Sequence, residues 1–85
     1  MNRYDRLLSL LKQQFPAAQM QLMDNSAEHA GHKHGFDGET HYILRIRDAG
    51  FAGLTRLQMH RRIIAAVQSE IDAGLHSFVI EDCGT

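Results

Sequence analysis

Eighty-five residues suffice for one compact domain, which at this size buries about 60 to 65% of its unfolded surface and leaves little interior for a deep private active site. With 44% hydrophobic and 22% charged residues the composition excludes a disordered or collagen-like chain, and a formal charge of −1 gives no general pull toward nucleic acid or an anionic membrane. The one cysteine, Cys83, excludes an intrachain disulfide framework and points to a reducing compartment, by default the cytoplasm.

The opening residues, Met1 to Arg6, lack the long apolar stretch of a signal peptide or membrane span, so no membrane association is expected. Tyr4, Leu7, Leu8, Leu11 and Phe15 then recur at helical spacing and Pro16 stops the pattern, which predicts an amphipathic helix near residues 3 to 14. Met20 and Leu22 alternate with Gln19, Gln21 and Met23, the pattern of a short half-buried strand ending near Asp24.

Residues 24 to 40 carry three glycines and almost no apolar periodicity. They read as a loop that exceeds the usual limit of about 12 to 15 residues for a structureless connection, and loops of that length tend to be functional or disordered. Three of the chain's six histidines, His29, His32 and His34, lie inside it.

From His41 to Arg47 a period of two returns, with Tyr42, Leu44 and Ile46 on one face and His41, Ile43, Arg45 and Arg47 on the other. Thr55-Arg56-Leu57-Gln58 has the form of a capping box, so a helix starts there and runs over about 56 to 72. Its buried face is read as Leu57, Ile64, Val67 and Ile71, and Gly74 offers a left-handed cap, with a short extra helical turn near Asp72 as a variant. Leu75 to Glu81 alternates as a third strand that places His76, Phe78 and Ile80 on one side. The expected architecture is a single α+β domain over residues 1–85. Its first two strands pair antiparallel, the third is parallel to the second across a right-handed crossover, and one layer of helices covers the three-stranded mixed sheet. Free in solution it is expected to be mostly monomeric, with the segment at about 25–40 as its loosest part.

The histidines are the residues with chemistry to offer. His29, His32 and His34 form H-x2-H-x-H in a glycine-containing loop, and neutral imidazoles suit zinc, copper and iron, although the pattern lacks the thiolates or carboxylates of usual four-coordinate sites. A solvated loop is the plain alternative, and a mononuclear metal carrier using the same three residues is another. His76, two residues after the glycine that ends a helix, sits at a strand start and so projects toward adjacent loops; a hydrogen-bonded structural histidine is the alternative there. No nucleophilic triad or phosphate-cradling motif is present, so no catalytic residue is assigned and the chain reads as non-enzymatic.

Taken in order, Asp24-Asn25-Ser26 followed by His29, Glu39-Thr40-His41-Tyr42, Phe51-Ala52-Gly53-Leu54, the His60-Arg61 pair and Gly74-Leu75-His76-Ser77-Phe78 resemble the BolA family over nearly the full length. The resemblance implies an αββααβ fold similar to the second type of KH domain, and a [2Fe-2S] cluster shared with a monothiol glutaredoxin. By motif the family's two ligands fall on His29 and His76, with His32 a close competitor for the loop position. A glutaredoxin cysteine and glutathione are implied for the remaining positions. His60 and Arg61 match the family as packing and partner-contact residues; His41, which begins a strand beside the loop, is expected to stabilise the hairpin, and the resemblance does not make it a primary ligand. Cys83 lies near the end of the last strand, where fraying is expected.

A rival reading is a DNA-binding regulator. Gly50-Phe51-Ala52-Gly53 spells G-x-x-G, the backbone clamp of KH domains, and Arg45, Arg47 and Arg56, with Arg61 and Arg62, would supply a basic surface. The loop itself holds no lysine or arginine, so a turn built on two glycines is the simpler account. Nucleic-acid binding is expected to be weak and salt-sensitive.

Overall fold

A computed structural model describes residues 2–25 and 41–85 of the chain. The first helix, α1 (Arg3–Gln14), begins where the Asn2 side chain accepts a hydrogen bond from the Asp5 amide at 2.9 Å. It buries Leu7, Leu11 and Phe15, the stripe its periodicity marks. Pro16 lacks the amide that would continue the ladder, and the last helical bond runs from the Phe15 amide to the Leu11 carbonyl at 2.8 Å.

Three strands, β1 (Gln19–Asp24), β2 (His41–Arg47) and β3 (Ser77–Gly84), form one sheet in the order β1-β2-β3. β1 runs antiparallel to β2, with Leu22 opposite Leu44, and β3 runs parallel to β2. The alternation read from residues 41 to 47 is borne out: Tyr42, Leu44 and Ile46 are buried, while Arg45 and Arg47 stand in solvent. β3 departs from expectation at both ends, starting at Ser77 in place of Leu75 and continuing past Glu81 to Gly84. The cause of the extension is a bulge. Leu44 pairs with Ile80 but Arg45 pairs with Asp82, so Glu81 is an extra residue that reverses the face of everything after it. Cys83 therefore falls opposite Ile46 and packs against the core, and it is no frayed terminal residue.

After β2 a 3-10 turn (Ala49–Phe51) drives Phe51 into the core, where its ring meets Phe15 edge-on with centroids 5.4 Å apart. The capping box forms as read: the Thr55 hydroxyl accepts from the Gln58 amide at 3.1 Å and the Gln58 side chain accepts from the Thr55 amide at 2.8 Å. The expected continuous helix is two, α2 (Arg56–Ala66) and α3 (Gln68–Asp72), separated at Val67, whose φ of −107° and ψ of 13° leave the helical region. The buried face also differs from the expected one. Leu57 is 58% exposed, Ile64 and Ile71 are half-buried, and Ile63 and Val67 are fully covered. At about 100° per residue Leu57 lies about 240° round the helix from Ile63, so a stripe centred on Ile63 and Val67 leaves Leu57 in water.

One cluster of Leu7, Leu11, Phe15, Leu22, Tyr42, Leu44, Ile46, Phe51, Ile63, Val67 and Leu75 joins α1, α2 and the inner face of the sheet. The other face of the sheet carries His41, Ile43, Arg45 and Arg47, and no helix among the described residues covers it. The order αββααβ and the mixed three-stranded sheet agree with the expected α+β architecture.

A solvent-facing histidine at the opening of the third strand

His76 owes its place to the way α3 ends. Gly74 takes a positive φ of 110°, a region that costs other residues strain, and its amide donates to the Ile71 carbonyl at 3.1 Å. The Leu75 amide reaches back to the Glu70 carbonyl at 2.9 Å, and the Leu75 side chain is buried. These two bonds make a Schellman turn with its usual apolar anchor. The chain is thereby reversed and pinned, and the next residue, His76, is left exposed immediately before β3.

The turn is braced from the other end of the molecule. Glu70, only 6% exposed, accepts from Arg3 Nε at 3.0 Å and from Arg6 Nε at 2.8 Å, while Arg3 Nη2 donates to the Ala73 carbonyl at 3.0 Å. Hydrogen bonding from Arg6 holds the Glu70 carboxyl below its ordinary value, opposed by burial and reinforced by Arg3; the same contact pushes Arg6 up. A buried carboxylate needs such partners. Sequence reading missed this group: Glu70 sits in a run of polar residues, and its partners lie more than 60 positions away.

On the C-terminal side of His76, Ser77 pairs with His41 as the first rung of the parallel ladder. Their side chains also meet, Ser77 Oγ and His41 Nδ1 lying 2.5 Å apart. The expectation that His41 stabilises the β1–β2 hairpin missed this contact across to β3. The signal was available, because parallel pairing of strands opening at His41 and near Ser77 sets the two starts side by side. At the same end of the sheet the Asn25 amide donates to the His41 carbonyl at 2.8 Å. Residues 25 and 41, which flank the histidine-rich segment, are thus joined to each other at the end of the sheet where β3 starts, with residue 41 beside that start and residue 25 on the far side of β2.

His29, His32 and His34 lie outside the described residues. Among the described residues no group of three or more His, Cys, Asp or Glu side chains is placed to hold a metal. A metal centre at His76 therefore needs donors from residues 26–40 or from another molecule. A lone imidazole open to solvent fits a centre of that shared kind.

The remaining candidates are divided between faces. His60 is half-buried on α2 with its Nε2 covered and without a hydrogen-bond partner among the described residues, while Arg61 is exposed beside it. Arg45 Nε donates to Glu81 and Arg47 donates to Asp82 at 2.7 to 3.0 Å, so the charges of both arginines are matched by carboxylates of β3. The Gly50 amide donates to the Asp48 carboxylate at 3.1 Å, and Gly53 adopts a φ of 80° ahead of the α2 cap. Those two glycines and Phe51 have full structural roles in the turn, and Arg56 is the exposed first residue of α2. No helix among the described residues is long and apolar enough to cross a membrane.

Fold and site define a small α+β module that holds a solvent-facing histidine at the same end of the sheet as the two ends of a histidine-bearing connection. A family model for BolA-like proteins matches residues 11–83, and the chain belongs to the BolA family. An uncharacterised Sinorhizobium protein is 39% identical over 69 residues, which span 79% of this chain and 74% of that relative. The chloroplastic protein BOLA1 of Arabidopsis thaliana is 33% identical over 82 residues, 93% of this chain and 51% of the relative's length. The solved BolA domain of SufE1 from the same plant superposes with a TM-score of 0.77 at 32% identity, covering 99% of this chain and 94% of that one. This chain spans about half of BOLA1 and 22% of the SufE-like protein 1 of Arabidopsis, so it corresponds to a part of each.

Proposed function

We propose that this protein is a non-enzymatic adaptor that shares a [2Fe-2S] cluster with a monothiol glutaredoxin, in iron–sulfur cluster assembly, trafficking or iron regulation. The observation that carries the reading is the position of His76: exposed, pinned by the turn after α3, and at the same end of the sheet as the joined residues 25 and 41. Membership of the BolA family supports it, as does similarity to a BolA domain that belongs to a SufE-like protein. His76 would give one ligand and His29 or His32 the second. The partner's cysteine and a glutathione thiolate would complete the four that such a cluster requires. Histidine nitrogen in place of thiolate sulfur raises a cluster's reduction potential, which is the chemistry this chain would add. Cys83, packed against the core, is not a ligand in this reading. A reducing compartment such as the cytoplasm suits the glutathione requirement.

The test is reconstitution with a monothiol glutaredoxin, glutathione, iron and sulfide. A coloured heterodimer should form whose visible circular dichroism differs from that of the glutaredoxin homodimer. His76→Ala should remove that difference and leave the far-ultraviolet spectrum unchanged. An unaltered visible spectrum in the His76→Ala complex would overturn the site. In the same assay His29→Ala and His32→Ala singly should weaken the cluster less than the double change, and metal titration of the isolated chain separates this function from a mononuclear carrier.

A further inference from the structure

We infer that His41 is a positioning residue for His76, acting through the Ser77 hydroxyl; the inference rests on the cluster-sharing function proposed above. His76 stands between two fixed points. On its N-terminal side Leu75 is buried and its amide is held by the Glu70 carbonyl. On its C-terminal side the first side-chain contact is that of Ser77 with His41 Nδ1, at 2.5 Å and across 36 positions of sequence. An exposed residue has no packing of its own to set its backbone angles, so the two neighbours set them. The direction in which the His76 imidazole leaves the chain then depends on the rung at His41.

The contact uses the ring nitrogen next to Cγ. Either Ser77 donates its hydroxyl hydrogen to a bare Nδ1, or a protonated Nδ1 donates to the hydroxyl oxygen. An asparagine places an amide oxygen or nitrogen at the same distance from the backbone and can serve in either sense after a flip. A glutamine carries its amide one carbon further out, where Nε2 would be. His41→Asn should therefore keep the function and His41→Gln should not, a distinction that a simple loss of imidazole, or of a metal ligand, would not make.

The experiment uses the reconstituted mixed complex and the metal-free chain, each as wild type, His41→Asn, His41→Gln and Ser77→Ala, after far-ultraviolet spectra confirm an intact fold. In His41→Gln and Ser77→Ala, chelator-driven loss of the cluster should be about three to ten times faster, the worth of one neutral hydrogen bond. His41→Asn should stay within about twofold of wild type, since its amide restores that bond. Nitrogen hyperfine couplings to the reduced cluster should keep their wild-type pattern in every variant, because His76 and the second histidine remain the ligands. In the metal-free chain, amide order parameters at His76 and Ser77 should fall in His41→Gln and Ser77→Ala and be retained in His41→Asn. Loss of one of the wild-type nitrogen couplings in both His41 variants would make His41 a ligand and overturn the inference, as would a Ser77→Ala complex with unchanged cluster lifetime. Should wild type form no mixed cluster, the proposed function falls, and the relaxation measurements alone decide the positioning: unchanged order parameters in all three variants refute it.

Discussion

Replacing Glu70 by Gln keeps the side-chain volume and one carbonyl acceptor but removes the charge to which Arg3 and Arg6 donate. A hydrogen bond to a charged group is worth about 1.5 to 3 kcal/mol. Here the Arg6 side chain is 41% exposed and that of Arg3 21%, so both guanidinium groups regain water when released. That places the cost for Glu70→Gln toward the lower end, about 1.5 to 2 kcal/mol. For a domain of this size each kcal/mol lowers the melting temperature by about 4 to 8 °C, so a drop of about 6 to 16 °C is expected at pH 7. The pH dependence has a definite sign. The folded carboxyl titrates below its ordinary value of 4.5, so its stabilisation is complete above that value and is lost as pH falls through the folded one. Thermal melts of both proteins from pH 7 to pH 3 should show a gap that is constant in the upper range and narrows below about 4.5. Coincident melting at pH 7, or a gap as wide at pH 3 as at pH 7, would refute the account of Glu70 as a buried ionised anchor.

Gly74→Ala forces a Cβ into a φ of 110°, and should lower stability by about 1 to 2 kcal/mol with faster amide exchange at Leu75; unaltered exchange would mean that the turn does not depend on glycine. Thr55→Ala removes half of the capping box and should cost about 1 kcal/mol in denaturant melts, with Gln58→Ala adding little once Thr55 is gone. Ile63→Ala should cost about 2 to 5 kcal/mol and Leu57→Ala less than about 0.5, since one side chain is fully covered and the other faces water; equal losses would contradict the phase of α2.

What could be read from the sequence was whatever depends on near neighbours. The α1 stripe, the alternation of β2 and the Thr55–Gln58 box each lie within one element, and the structure agrees with all three. The break at Val67 has no glycine or proline to announce it, and apolar residues on both sides of it suit a single uninterrupted helix equally well. Leu57 was misread because several apolar positions in α2 fit a helical period, and only packing against the rest of the core selects among them. Glu70 and the bulge at Glu81 were invisible for a different reason: each exists through partners in distant segments, Arg3 and Arg6 for one and β2 for the other. At the site, the glycine before Leu75 marked the turn that leaves His76 exposed, whereas the contact of Ser77 with His41 required the sheet register.

The extra residue at Glu81 also bears on how the protein meets its own copies. An edge strand invites another chain only where its amides and carbonyls recur at even spacing, and a bulge breaks that rhythm. β3 is one edge of this sheet and is interrupted at its middle. On the opposite edge the Leu22 carbonyl of β1 is already taken by the Tyr4 hydroxyl at 3.0 Å. Among the described residues neither side of the three-stranded sheet offers a long regular template. A crowded or overexpressed preparation should resist edge-to-edge polymerisation, and extended peptides that bind by adding a strand should find no purchase here.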